Sequence, residues 1–529
     1  MVPSIGAAWH RLAQRCTLAH PPTEAPIQPT FLSAQPRACL LALSLGVGAV
    51  TVTAPLRAQE AVASAIGASA PASAPTQHRD ALNLLRLWLE AQVAYDRVPG
   101  LFAGVVIGQD LVWSQAWGSL DHRRRVPTQA DTLYSICSIS KLFTSVAVMQ
   151  QWEEGKFSLD EDIGKWLPGF AIQRSDADSG PISVRSVLMH ASGLPRESDH
   201  PYWTGPDFQF PNRAELMQRL AGQRTLWRAS DRYQYSNLGM ALLGELVAQS
   251  AGMPYADYVQ QRILAPLKMA DTRPGLPLAL SGTRLAQGHG ALRRDGTRET
   301  LPNFDTQALA PAAGFTSNVP DLARFAAWQF RLHKAGGQEV LRASTLREMQ
   351  RVQWTNPDGK ASWGLGLAVG REGANTLIGH TGVCPGHLAA LSMAMKDEVA
   401  VIALANANDN QSLARYTRPM RQIMLKGRRL RPARSGPGSP DLAAYAGRYD
   451  GQPWTSETVL APWGEGLAQL SMPNADPATG LDVLRHVGAD RFRYVREDGS
   501  LGHEIAFERD TAGQVRGLRS GGQFLRKLD

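Results

Sequence analysis

At 529 residues, 43% hydrophobic and 19% charged, the chain has a globular composition and is too long for one core, so two or more domains are expected. Its net charge of +8 does not point to nucleic acid. Arg11, Arg15, Arg37 and Arg57 are opposed by Glu24 alone in the N-terminal extension, a second cluster lies between Lys426 and Arg434, and no predicted helix or strand carries a basic face interleaved with aromatics.

Residues 38–54 form an uncharged apolar run, and Leu56-Arg57-Ala58-Gln59 behind it offers a signal-peptidase site. The run reads as an export signal to the periplasm or beyond; an uncleaved inner-membrane anchor is the alternative, since its length is near the lower limit for spanning. The stretch ahead of Arg37 is long and proline-rich for a signal, which suggests a translation start downstream of Met1. No second methionine precedes Met149, so that start would use another codon.

The expected organisation is an N-terminal extension with signal or anchor (1–58), a disordered Ala-, Ser- and Pro-rich linker (59–79), a main domain (80–427), a second linker (428–440) and a small β domain (441–529).

In the main domain, Leu82, Leu85, Leu89 and Val93 mark an amphipathic helix. Two strands follow, Phe102–Ile107 and Leu111–Trp117, joined by a turn at Gln109-Asp110. A long helical and loop region runs to about residue 270. Strands at 376–378, 389–395 and 399–404 then return beside the first hairpin, so one sheet draws on both ends of the domain. The last ninety or so residues alternate apolar and polar, as in Arg491-Phe492-Arg493-Tyr494-Val495, with turn signals at Asp498-Gly499 and Gly521-Gly522, and predict an antiparallel barrel or sandwich.

The chemistry concentrates in three short motifs. Ser138-Ile139-Ser140-Lys141 puts a lysine three residues after a serine at a helix start, with Leu142, Val146 and Met149 continuing the helix. Residues three apart share a helical face, so the amine can take the hydroxyl proton and make a nucleophile of a poor one. By itself the motif is weak, because serine is abundant and a solvated lysine is the bland reading. Tyr235-Ser236-Asn237 precedes an apolar helical run, where Asn237 could be simply an N-cap. His380-Thr381-Gly382 follows a strand segment, and Gly382 could be a turn glycine. Three such motifs in this order, each at an element edge, carry more weight than any one.

Together they resemble the serine hydrolases that include class C β-lactamases, DD-peptidases and related esterases, with their Ser-x-x-Lys, Tyr-x-Asn and Lys/His-Thr-Gly motifs. The segments Leu188–Pro195, Leu264–Met269, Ala313–Ser317 and Gly364–Leu367 agree, and the resemblance covers about residues 80–425. It implies an α/β fold of the α+β sandwich kind: an antiparallel sheet flanked by helices, with an inserted helical subdomain. Leu442–Tyr449 resembles the opening of the lipocalin-like domain that follows some members.

The roles implied are Ser138 as nucleophile forming an acyl-enzyme, with Lys141 and Tyr235 sharing its proton. Tyrosine near neutral pH needs cations close by to act as a base. Asn237 is expected to orient Lys141 and bind substrate with His380, Thr381, Gly382 and Val383; the backbone N–H groups of Ser138 and Val383 would form the oxyanion hole. No metal or organic cofactor is expected, and the partner is a small-molecule or peptide substrate.

Histidine at position 380, where class C enzymes carry lysine, favours a D-amino-acid peptide or an ester over a β-lactam. A class C-like β-lactamase and a non-catalytic penicillin-binding sensor remain the alternatives. Tyr202–Phe210 either walls the pocket with aromatics or is a packed loop; His190 and His387 read as structural rather than catalytic. Cys137 and Cys384 could pair in an oxidising compartment, but the favoured reading is two small buried residues.

Overall fold

The computed structural model describes residues 78–121, 123–359, 361–409, 412–430 and 440–528, all inside the compact unit Val62–Asp529. The expected signal or anchor, and the tether up to residue 77, lie outside these, as does most of the second linker. Among the described residues no helix is long and apolar enough to cross a membrane.

Helix α1 (Arg79–Tyr95) buries Leu82, Leu85, Leu89 and Val93 as their spacing predicts, and Trp88 with them. Strands β1 (Gly100–Ile107) and β2 (Asp110–Asp121) form the first hairpin. Its turn falls on Gly108-Gln109, one residue earlier than expected, because Gly108 takes the positive φ (60°) and Asp110 already pairs with Ile107.

Helices α2 (Ser140–Glu153), α3 (Asn237–Ala251) and α4 (Val319–Ala335) come between this hairpin and the returning strands β3 (Ala368–Glu372), β4 (Asn375–Cys384), β5 (His387–Ala394) and β6 (Val399–Ala405). The antiparallel order is β2-β1-β6-β5-β4-β3, with short edge strands at Val126–Pro127, Ser362–Trp363 and Trp354–Thr355 making nine. Leu101 lies opposite Ala405 and Ile107 opposite Val399, which joins the two ends of the domain.

Alternation along β1 decides the layers. Phe102 and Val106 face the core shared with α2, α3 and α4, while Leu101, Ala103 and Val105 face α1 and the last helix, α5 (Ala414–Gly427). Both faces are therefore covered, which is why β6 reads Val-Ala-Val-Ile-Ala-Leu-Ala without a polar residue.

The C-terminal domain is an eight-stranded antiparallel sheet running from Gly447–Asp450 to Gln523–Arg526. It curls until the Leu528 N–H donates to the Arg448 carbonyl oxygen at 2.7 Å, giving a nearly closed barrel. Tyr445, Tyr449, Phe492, Ile505 and Phe507 fill its core. The outer face of strands Glu457–Trp463 and Gly466–Met472 joins the apolar layer of α1 and α5 through Val459, Ala461, Trp463 and Leu470. Trp88 Nε1 donates to the Asn474 carbonyl oxygen at 2.8 Å, and the Gly464 N–H donates to Asp80 at 2.8 Å. Helix α1 thus belongs to both domains.

Candidate active site

The chain reaches Ser138 through a left-handed residue, Cys137 (φ 49°), and then a single 3₁₀ turn, Cys137–Ile139, that runs into α2. Positive φ is costly for a non-glycine residue and persists only where the surroundings hold it. Three contacts do so. Ser140 Oγ donates to the Cys137 carbonyl oxygen at 2.5 Å and accepts from the Phe315 N–H at 3.0 Å, and Cys137 is bonded to Cys384. The disulfide corrects the expectation of two separate packing residues. Across 247 residues the sulfurs come together because β4 runs directly over the nucleophile turn.

Lys141 is wholly buried on α2. Its Nζ stands 3.0 Å from Ser138 Oγ and donates to the Ala312 carbonyl oxygen at 2.6 Å. Burial pushes its pKa well below the usual lysine range; the Glu197 carboxylate opposes that shift and the Arg196 guanidinium assists it. A neutral amine so placed keeps a lone pair for the serine proton.

The Ser138 hydroxyl acts on the Tyr235 hydroxyl in the sense that lowers its pKa. Lys141 Nζ lies 4.9 Å from its ring centre, the Arg196 guanidinium carbon 5.0 Å, and the His190 ring 4.3 Å. Burial raises its pKa despite Ser138 and the charge of Arg196. Tyr235 is therefore a phenol at rest, whereas burial favours the neutral form of the Lys141 amine beside it.

Asn237 is the first residue of α3; the cap is Ser236, whose Oγ accepts from the Gly239 N–H at 2.8 Å. Asn237 Nδ2 donates to Glu197 at 2.6 Å, and its buried Oδ1 has no hydrogen-bond partner among the described residues. The expected orientation of Lys141 by Asn237 is instead supplied by the Ala312 carbonyl.

The third motif lies on β4. His380 is buried, its Nδ1–H donates to the Thr381 carbonyl oxygen at 2.6 Å, and Nε2 is buried without a partner among the described residues. Burial, helped by Lys141, lowers its pKa to about 3, so the imidazole is neutral. Thr381 and Val383 are exposed. Gly382 between them faces the nucleophile turn, where a Cβ would lie 2.2 Å from the Ile136 carbonyl oxygen and 3.1 Å from Cys137 Cβ. Only glycine admits so close an approach. The disulfide therefore fastens the residue before Ser138 to the residue after Val383.

Several site residues escaped the motif reading. Arg196 and Glu197 directly follow the segment Leu188–Pro195, and Trp363 directly precedes Gly364. Trp363 stacks on Tyr233 at 5.5 Å and lies 5.6 Å from His380 and 5.2 Å from His190, forming an aromatic wall. Their nearness to the matching segments was the available signal. Of the two readings of Tyr202–Phe210, packing prevails: Tyr202 is buried with its hydroxyl on Glu197 at 2.6 Å, and Phe208 and Phe210 pack on Phe304. His190 is also buried, with Nδ1 accepting from the Ser236 N–H at 3.3 Å.

A family model described as Beta-lactamase matches residues 85–424. Beta-lactamase-like protein 2 of Dictyostelium discoideum is 30% identical over 284 residues, which is 53% of this chain and 50% of that protein. A D-aminopeptidase of Brucella anthropi is 26% identical over 58% of this chain and 56% of its own length. The chain thus spans about half the length of these curated relatives. Among solved structures, the octameric penicillin-binding protein homologue from Pyrococcus abyssi covers 84% of this chain and 100% of its own, with a TM-score of 0.59 and 20% identity. That likeness speaks to the fold, the C-terminal barrel included.

Proposed function

The chain belongs to the β-lactamase family, generally serine hydrolases, and we propose that it hydrolyses a D-amino-acid peptide or an ester through an acyl-enzyme on Ser138. The observation that carries this reading is the buried Lys141 amine, 3.0 Å from Ser138 Oγ and tied to the Ala312 carbonyl. In the proposed cycle Nζ takes the serine proton as Oγ bonds to the carbonyl carbon. The oxyanion receives the N–H groups of Ser138 and Val383. Tyr235 then gives its phenolic proton to the leaving group as the scissile bond breaks, and Lys141 restores it. Water repeats the sequence to release the acid. The chemistry asks for no metal or cofactor.

The substrate class follows from His380. A neutral imidazole compensates the fixed carboxylate of a β-lactam poorly, whereas a simple ester brings none, so kcat/KM for a nitrophenyl ester should exceed that for nitrocefin by at least about tenfold. The D-aminopeptidase relative supports trying D-aminoacyl amides in the same panel.

A fluorophosphonate probe should label the protein, and Ser138→Ala should lose both labelling and turnover while keeping its fold. Turnover surviving in Ser138→Ala would end the nucleophile assignment; an unlabelled wild type would leave the penicillin-binding sensor. Nitrocefin hydrolysed at or above the best ester would install the β-lactamase reading. We further propose export directed by residues 38–58. A periplasmic form beginning near Gln59 supports it, full-length chain in membranes indicates an anchor, and full-length chain in cytosol refutes both.

A further inference from the structure

Between the first and second motifs the chain passes beside the site with two adjacent residues of opposite charge, Arg196 and Glu197. Glu197 turns inward. One carboxylate oxygen accepts from Asn237 Nδ2 at 2.6 Å and the other from the Tyr202 hydroxyl at 2.6 Å, and its side chain is only 21% exposed. Arg196 turns outward, 61% exposed, with its guanidinium 5.0 Å from the centre of the Tyr235 ring and 3.3 Å from Glu197. Neither has a place in the acyl-transfer cycle, yet both are built into its walls: Glu197 fixes the amide of Asn237, and Arg196 covers the face of Tyr235.

We propose that Arg196 and Glu197 are a pair of positioning residues that set the pH range of the Ser138–Lys141–Tyr235 cluster, Glu197 holding protons on it and Arg196 driving them off. The proposal rests on the serine hydrolase reading above. Its physical basis is geometric: the Arg196 guanidinium and the Lys141 amine lie 5.0 and 4.9 Å from the centre of the same Tyr235 ring, and Glu197 holds the amide of Asn237 at the start of the same helix, so two opposite charges from one loop face one cluster.

The other groups facing Lys141 are Ser138 on its own turn, Tyr235 and Asn237 at the start of α3, His190, His380 on β4 and the Ala312 carbonyl. Both imidazoles are kept neutral by burial, and Tyr235 stays a phenol. Beside these neutral neighbours, the Glu197 carboxylate opposes the downward shift of Lys141 and the Arg196 guanidinium assists it. Asn237 gains a fixed orientation in the same arrangement: with Nδ2 committed to Glu197, its buried Oδ1 has no partner among the described residues.

Lys141 accepts the serine proton only when neutral, so reactivity rises with pH through its pKa. Removing Glu197's charge should move that rise to lower pH, and removing Arg196's charge should move it to higher pH. The experiment measures the second-order rate of labelling by a fluorophosphonate against pH, each variant normalised to its own high-pH plateau so that partial misfolding cancels. Expected shifts are about half a pH unit or more, downward for Glu197→Gln and upward for Arg196→Gln. Each corresponds to about a threefold change in relative rate at fixed pH on the rise. The double variant should return near the wild-type midpoint. Glu197→Asp, which keeps the charge, should hold the midpoint even if its plateau falls. A purely structural role would lower plateaus and leave midpoints in place. Midpoints that stay put, or that move in the same direction in both single variants, overturn the proposal. A wild type that does not label at all, or a Ser138→Ala variant that still labels, overturns instead the serine hydrolase reading beneath it.

Discussion

Gly382→Ala puts one methyl group into the close approach between β4 and the nucleophile turn. Its Cβ would lie 2.2 Å from the Ile136 carbonyl oxygen and 3.1 Å from Cys137 Cβ, so β4 and the nucleophile turn must separate by about 1 Å to reach ordinary contact. Neither side yields easily. The oxygen is backbone, Cys137 is held at positive φ, and the disulfide ties it to Cys384 two residues beyond the substitution. An oxyanion donor works at about 2.7–3.1 Å, so a retreat of about 1 Å by the Val383 N–H would remove the proposed donor and should cost about 10²–10³ in kcat, or ~2.7–4 kcal/mol. Overpacking should cost a further ~1–3 kcal/mol of stability.

The assay is kcat/KM on the best nitrophenyl ester, with thermal unfolding on the same samples. Gly427→Ala is the control, since its Cβ would meet Ala81 Cβ at 2.4 Å in the layer between α1 and α5, on the far side of the sheet. It should lose stability and keep turnover. A folded Gly382→Ala variant within about threefold of wild-type kcat/KM would refute the claim that this approach builds the oxyanion hole.

Lys141→Arg should keep less than a tenth of the ester rate, a barrier increase above ~1.4 kcal/mol, because guanidinium cannot take the serine proton. Lys141→Met should be inactive yet melt higher than wild type at pH 7. Burial holds the pKa of the folded amine well below its unfolded value, so the unfolded state binds more protons, and the gain should shrink as pH approaches 10.5. His387 is buried with its pKa lowered to about 3 from 6.5, so the unfolded chain takes up its proton first and stability is lost as pH falls through that window. At pH 5 this amounts to about 2 kcal/mol, and chemical denaturation of His387→Asn should show a correspondingly shallower loss between pH 7 and 5. Reducing the Cys137–Cys384 disulfide should lower both melting temperature and ester turnover, because the bond clamps the turn bearing Ser138 to the strand bearing Val383. Turnover unchanged after verified reduction would show that packing alone holds them.

What the sequence determined by itself is what depends on near neighbours. Serine and lysine three apart on a helix share a face whatever surrounds them, so Ser138 and Lys141 were legible, as were α1 from its leucine spacing and the uniformly apolar β6 as a buried strand. The strand at 491–495 also lies where its alternation puts it, and the strands Val515–Ser520 and Gln523–Arg526 meet at the expected Gly521-Gly522 turn.

Tertiary structure decided the rest, because each remaining feature is a balance struck between distant segments. Pairing of Cys137 with Cys384 needed β4 to cross the nucleophile turn, and no local pattern reports that crossing. The pKa shifts of Lys141, Tyr235 and His380 follow from burial, which is a property of the packed whole; at Tyr235 burial outweighs the nearby guanidinium and keeps the phenol protonated. Arg196 and Glu197 look like an ordinary surface pair in the sequence and acquire meaning only when folding brings Asn237 and Tyr202 to the carboxylate and Tyr235 to the guanidinium. Helix α1 carries one apolar pattern but serves two domains, since a stripe of leucines specifies that a face is buried and not what buries it.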